Sequence, residues 1–270
     1  DNCPGFGSVA KYVAVSIDEA ELDIASMCET STKVFIMEVM GRHAGWIVSA
    51  CGLGNHSASR AKNRILLFPE IPFDTERFLK NVQAQVDEQG YAVIGASEGT
   101  ADKNGTFLAQ SGQKDSFGHN QLGGVAPYLA QLIQQRLELK CHWAVADYLQ
   151  RSARHLVSAT DLQQAKAVGE AALRMAMDKQ SGFMPVITRT SNNPYSWRID
   201  SAPIAGTANV EKKLPRHYIT EDGYNITDDG RQYLQPLISG EAWPAYLDGL
   251  PKRTPLKLEY IKKKLSHFTL

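Results

Sequence analysis

The chain has 270 residues, 43% of them hydrophobic and 21% charged, with Lys plus Arg and Asp plus Glu balanced at 29 each. That leaves room for one or two domains of ~100–200 residues around a full apolar core, and no net field to draw the chain to nucleic acid or an anionic membrane. Four cysteines without Cys-x-x-Cys spacing argue against a disulfide framework. No apolar run approaches the ~18 residues of a membrane span and the N-terminus has no signal-peptide pattern, so a cytoplasmic protein with a small-molecule or protein partner is expected.

Gly5-Phe6-Gly7 reads as a turn. After it, Val9, Tyr12, Val13, Leu22, Ile24 and Met27 fit one long buried helix or two shorter ones, with Ser16 and Glu19 at capping-box spacing where a break would fall. From Lys33 onward strand and helix patterns alternate, which predicts a parallel sheet with right-handed crossovers. VFIMEVM is the first strand; it runs into Met40-Gly41-Arg42 and then a helix through Trp46 and Val48. A helix starting there would present unpaired first-turn N–H groups, Gly41 would admit a ligand close to the backbone, and Arg42 would add a planar fork suited to phosphate. A strand, a glycine and a surface arginine are also ordinary in any α/β protein, so spacing alone leaves both readings open.

RILLFPEIPF reads as a second strand ended by prolines. Asp74 is then an N-cap, Phe73 and Phe78 stand at hydrophobic-staple positions, Phe78, Val82 and Val86 form a buried stripe, and Gly90 ends the helix. YAVIGAS is a third strand with Glu98-Gly99 at its end. Ligands collect outside the carboxyl ends of parallel strands, so Arg42 and Glu98 face one crevice if their strands are neighbours. The polar stretch Thr100–Pro127 is long enough to be a lid, in which Lys114, Ser116 and His119 are either ligand contacts or members of a solvated loop. A helix from about Pro127 to Leu139 leads to the strand CHWAVADY and to Arg151, Arg154 and His155, which read as an anion pocket or a solvated basic turn. Thr160 and Gln163 have capping-box spacing for a helix with Leu162, Ala165, Leu173 and Met177 inward, ended by Gly182. FMPVITR is one more strand, residues 190–217 a connection between lobes, and Leu258, Ile261, Leu265 and Phe268 the apolar face of a docked C-terminal helix whose wet side carries Lys262, Lys263 and Lys264.

The literal wording adds to this reading. EVMGRHAGW resembles the sugar-phosphate motif of the phosphofructokinase family, ASEG resembles its strand end with a sugar-contacting Glu, and DYLQRSARH resembles its Gly-His-x-Gln-Arg segment, all in the family's order. DNCPGFGSVAKY resembles the segment after its Thr-Ile-Asp-Asn-Asp motif; GFGSVAKY, LGGVAP and YLQRSARH are closer to the pyrophosphate-dependent branch than to the short ATP-dependent one. The resemblance implies an α/β fold with parallel-sheet, three-layer lobes, N-terminally incomplete. Residues 1–148 would be the fructose-6-phosphate lobe, 149–206 a segment returning to the phosphoryl-donor lobe, and 207–270 a segment docking on the sugar-phosphate lobe. Carried over by position, Met40, Gly41, Arg42, Glu98, Tyr148 and Arg151 would bind fructose 6-phosphate. Arg42 is the residue assigned to catalysis, and Arg151 would hold the 6-phosphate.

Tyr148 replaces the family's His and still offers a hydroxyl donor. Lys33 and His142 replace arginines that reach the substrate across a subunit interface, losing the bidentate fork in one case and the permanent charge in the other. No metal ligand and no organic cofactor is assigned to this chain. The glycine-rich donor loop and the Asp that takes the 1-hydroxyl proton precede the matched segment, and Asp1 is not that Asp. The resemblance therefore implies the acceptor side of a 6-phosphofructokinase of glycolysis, using pyrophosphate with Mg²⁺, forming a homodimer or larger homo-oligomer, and inactive as these 270 residues alone. The alternatives are an ATP-dependent enzyme or a non-catalytic sugar-phosphate-binding subunit; a dinucleotide-binding domain lacks its Gly-x-Gly-x-x-Gly.

Overall fold

A computed structural model describes residues 3–54, 59–108, 110–114, 120–122 and 124–266. Four strands form a fully parallel sheet in the order β2-β3-β1-β6: β1 (Val34–Val39), β2 (Ile65–Leu67), β3 (Ala92–Ser97) and β6 (Cys141–Val145). The apolar runs of β1, β2 and β3 follow from burial on both faces, the expected state of a parallel sheet, while β6 is an exposed edge. One face packs against α1 (Phe6–Met27) and α2 (Trp46–Ser49), bringing Ala10, Val13 and Ile17 onto Met37, Val39, Leu66 and Val93. Leu214, Ile219, Ile226 and Leu234 of the later chain complete that layer, the last on the short α8 (Asp228–Leu234). The other face packs against α4 (Thr75–Gln89) and α5 (Val125–Leu137), where Phe78, Val82, Leu129 and Ile133 meet Val34, Ile36, Ile65 and Ile94. The three-layer parallel α/β expectation is therefore met, with each fully buried large side chain contributing about 1.5–3 kcal/mol.

α4 forms as its sequence reads. Asp74 accepts from Arg77 N–H at 2.9 Å, the Phe73 and Phe78 rings lie 5.2 Å apart, and Gly90 closes the helix in the left-handed region. α1 is a single 22-residue helix with no break at Ser16. Its inner stripe includes Glu21, whose carboxylate accepts from the fully buried Arg64 at 2.7 Å. Arg64 follows the short α3 (Ser59–Asn63); it also donates to Asp18 and to the carbonyls of Cys51 and Leu53, so a paired buried cation ties α1 to the turn after α2.

Several expectations are corrected. The stretch after β3 carries two short antiparallel strands, β4 (Gln110–Lys114) and β5 (Asn120–Leu122); Ser116, His119 and the Lys114 side chain lie outside the described residues. After the one-turn α6 (Leu149–Ser152), the long helix α7 (Ala159–Met177) is capped by Ser158, which accepts from Asp161 N–H, and not by Thr160. Leu162, Leu173 and Met177 face outward at 47%, 63% and 74% exposure, while Asp161 and Gln164 are the buried members of that helix. Asp161 reaches back to α1, accepting from Gly5 N–H, Ser8 N–H and the Ser8 hydroxyl, while Ser158 N–H donates to that hydroxyl; the two helix starts share their caps. Residues 190–217 are not simply a connection: β7 (Phe183–Asn192) turns at Asn193–Pro194 and pairs along its length with β8 (Tyr195–Pro203). A two-residue hairpin pair, β9 (Tyr246–Leu247) and β10 (Leu250–Pro251), follows. No helix forms over residues 252–266, where Leu258, Ile261 and Leu265 are exposed; Phe268 lies outside the described residues. Their helical spacing marks one apolar side of a helix, but no described surface receives it, and tertiary burial is what sustains most such helices.

Candidate active site

The carboxyl ends of β3, β1 and β6 lie side by side and carry, in that order, Glu98, Met40-Gly41-Arg42 and the Tyr148–Arg151 turn. The expected neighbourhood of Arg42 and Glu98 is found: Gly41 N–H donates to Glu98 Oε1 at 3.1 Å. The second carboxylate oxygen of Glu98 has no partner among the described residues. One residue back, Ser97 Oγ donates to Gly41 O at 2.5 Å, so both backbone groups of Gly41 are tied to the end of β3.

Two glycines permit this closeness. Gly41 has φ 142°, a region other residues avoid, and a Cβ there would meet Ala44 O at 2.9 Å. A Cβ on Gly99 would fall 1.9 Å from Arg42 O. The Gly after Glu98 is thus the seat against which the Arg42 backbone lies. Arg42 itself is half-buried, and its guanidinium makes no hydrogen bond or ion pair with another described residue.

The helix expected directly after Arg42 starts four residues later. α2 is a single turn beginning at Trp46, and the N–H of its N-cap Gly45 donates to Glu70 Oε1 at 2.9 Å. Gly41 and Gly45 N–H groups are therefore both held by carboxylates of the chain itself and are not open donors awaiting an anion. The Arg42 fork and one oxygen of Glu98 remain available at the corner.

Beneath it lies a carboxylate that sequence reasoning missed. Glu38, one residue before the end of β1 and 2% exposed, accepts from Gly124 N–H at 3.1 Å and Ala126 N–H at 2.8 Å, capping α5 from a distance. Burial raises its pKa above the ordinary value; the two N–H groups oppose the rise and the nearby Glu98 charge adds to it. A charged residue inside the apolar run VFIMEVM is the signal that marks it.

Tyr148 is 67% exposed, and the Arg151 guanidinium lies 5.5 Å from the centre of its ring. Arg151 lines a groove with Gly5, Ser8, Arg154 and Asp161, and no hydrogen bond or ion pair joins it to the Arg42 corner among the described residues. Lys33 and His142 stand at the opposite end of the sheet. Lys33 precedes β1 and His142 pairs with Phe35 near its start, roughly 20 Å along the strand from Arg42 at ~3.3 Å per residue. One copy of the chain does not bring them to its own corner. Among the described residues no group of three or more His, Cys, Asp or Glu side chains is placed to hold a metal ion.

With this geometry in view, comparison with known proteins is decisive for the family: the phosphofructokinase family model matches residues 1–176. The chain belongs to the phosphofructokinase family. It is 54% identical over 270 residues to the pyrophosphate–fructose 6-phosphate 1-phosphotransferase of Halomonas elongata, covering 100% of the chain and 64% of that relative. The corresponding transferase of Methylococcus capsulatus is 53% identical over 266 residues, with 98% and 63% covered. The crystal structure of a pyrophosphate-dependent phosphofructokinase from Nitrosospira multiformis superposes with a TM-score of 0.88 at 49% identity, covering 99% of the chain and 63% of that structure. The chain thus spans just under two thirds of the length of each of these three relatives.

Proposed function

We propose that the protein to which these residues belong transfers a phosphoryl group from pyrophosphate to the 1-hydroxyl of fructose 6-phosphate, and that this chain supplies the acceptor side. The observation that carries the reading is the joined corner: Gly41 N–H holds a Glu98 carboxylate that keeps one oxygen for sugar hydroxyls, and the next residue, Arg42, has a guanidinium with no described partner. The high identity to transferases named for this reaction supports pyrophosphate as donor. Met40, Gly41, Arg42 and Glu98 would fix the sugar phosphate, Tyr148 and Arg151 would close on its phosphate, and Lys33 and His142 would serve a neighbouring copy. The homodimer or larger assembly this requires is part of the proposal, as are glycolysis and the cytoplasm. No helix among the described residues is long and apolar enough to cross a membrane.

Phosphoryl transfer rests on positioning and charge stabilisation, with donor, acceptor and base placed together. In this chain Arg42 orients the acceptor through a charge-assisted contact, and Glu98, anchored by Gly41, holds the ring by accepting from its hydroxyls. Mg²⁺ on this reading travels with the donor, since it is usually bound through substrate phosphates and one or two carboxylates, and the described residues offer no cage of their own. On the same reading residues 1–148 would be the sugar-phosphate lobe, residues 149–206 would return to the donor lobe and residues 207–270 would dock on the sugar-phosphate lobe.

Calorimetric titration of the chain with fructose 6-phosphate, beside a turnover assay with pyrophosphate and with ATP, tests the reading. Binding without turnover is the expected result. A folded chain that ignores fructose 6-phosphate would remove the acceptor assignment, and turnover would show that the donor machinery lies within these 270 residues.

A further inference from the structure

Residues 211–214 lie as a strap beside the loop that follows Arg42, joined to it and to its neighbours through Glu211, Lys212 and Leu214. Glu211 Oε1 stands 3.2 Å from His43 Nδ1. Trp46 Nε1 donates to Lys212 O at 2.8 Å, and the Lys212 ammonium sits 5.5 Å from the Trp46 ring centre. Leu214 N–H donates to Glu70 Oε1 at 2.8 Å, the same oxygen that accepts from Gly45 N–H at 2.9 Å. One carboxylate oxygen, on the turn after β2, therefore holds both the corner loop and the strap.

Glu70 sits where few residue types would fit. Its Oε2 is buried with no partner among the described residues. A Cβ on residue 45 would come within 2.7 Å of that oxygen and 2.9 Å of Phe68, so Gly45 is what lets the carboxylate reach the backbone. A buried oxygen without a donor is costly and calls for a reason. A glutamine would not relieve it, because its amide nitrogen would take the place of one oxygen and bring donors with no acceptor.

We propose that Glu70 is a positioning residue, which through Gly45 and Leu214 locks the 211–214 strap to the corner loop and so sets the orientation of Arg42 toward an anionic sugar-phosphate ligand. Arg42 is three residues from Gly45, and Gly41 is already fixed by Glu98 and Ser97. The segment between these anchors can turn the guanidinium only as far as Gly45 allows. The choice of ligand rests on the reading of the corner given above; the lock between strap and corner does not.

The test has two arms on the 270-residue chain. Amide hydrogen exchange without ligand compares wild type, Glu70→Ala, which removes the oxygen that accepts both N–H groups, and the milder Glu211→Ala, whose side chain is half-exposed. Glu70→Ala is expected to speed exchange in 41–46 and 211–214 together by about tenfold while β1 and β3 keep their protection, and Glu211→Ala to do the same to a lesser degree. Should either segment stay unchanged, or β1 and β3 loosen equally, the lock is refuted; if Glu70→Ala fails to fold, Glu211→Ala decides by the same criterion. In the second arm, fructose 6-phosphate is titrated into wild type, Glu70→Ala, Arg42→Ala and the double variant. A Kd raised about tenfold by Glu70→Ala alone but within about twofold in the Arg42→Ala background is the expected coupling. Equal effects in both backgrounds would show that Glu70 does not act through Arg42. A wild-type chain that does not bind fructose 6-phosphate defeats the ligand assignment, and the exchange arm still decides the lock.

Discussion

The two flanks of β1 are built differently. Toward β3, the corner is closed by the chain itself: Glu98 and Ser97 hold both backbone groups of Gly41, Gly99 receives the Arg42 carbonyl, and Glu70 holds Gly45. Toward β6, the strand is an edge with Trp143 and Val145 at 49% and 44% exposure, and Tyr148 and Arg151 lean on each other over open surface. The contrast separates two tasks. On the proposed function, the groups that would meet the sugar phosphate in a fixed geometry are held by short backbone bonds, which would lower the ordering cost of binding, while those on the β6 side would be ordered by whatever they meet.

The strongest way to break the closed flank is Gly99→Ala. A methyl group 1.9 Å from Arg42 O forces the corner away from β3, and denaturation should show a loss of about 3 kcal/mol together with abolished fructose 6-phosphate binding. A stable, binding-competent variant would mean that the close approach is incidental. Arg42→Ala comes next. Losing a charge-assisted contact of about 1.5–3 kcal/mol should weaken binding by about 10- to 150-fold in a calorimetric titration. Its stability should be nearly unchanged, since the guanidinium has no described partner to leave stranded.

The open flank should respond in the opposite proportion to the glycine. Arg151→Ala is expected to keep stability within about 0.5 kcal/mol of wild type, as for an exposed side chain, while weakening binding by about tenfold. If it unfolded the chain instead, the flank would be more rigid than its contacts suggest. The finest test is the pH dependence of Glu38→Gln. Because burial raises the folded pKa of Glu38, the folded state holds this proton more tightly than the unfolded state. Its contribution to stability is thus full below the ordinary value near 4.5 and declines as pH rises through the raised one. Glutamine has one acceptor for two N–H groups, so the variant should be about 1–2 kcal/mol less stable at low pH, with the gap narrowing as pH rises. Parallel stability curves would remove Glu38 as the source.

These expectations also show what the sequence made legible. The four sheet strands and α4 carried their own signals: apolar runs, Asp74 as cap, Gly90 as stop. Arg42 and Glu98 could be paired because strand ends share an edge whenever strands are neighbours. Glu70 and the strap could not be found that way. Their link spans Gly45 to Leu214, and no local pattern reports a meeting at that distance. The misreadings have a common cause as well. Leu162, Leu173 and Met177, or Leu258, Ile261 and Leu265, repeat with helical spacing, and a period tells that one side is apolar without telling what covers it. Tyr195, Trp197 and Ile199 alternate as a strand should, but the Asn-Pro and Ser content around them masked β8.

The shared cap between α1 and α7 has a kinetic meaning. Asp161 fastens Gly5 and Ser8 across more than 150 residues, a closure that brings no local reward until both helices and the sheet between them have taken shape. Such a clasp belongs to the late stage of folding. Weakening it should leave the speed of assembly nearly untouched and show itself as faster opening, so that the lifetime of the folded chain, more than its ease of formation, hangs on one carboxylate.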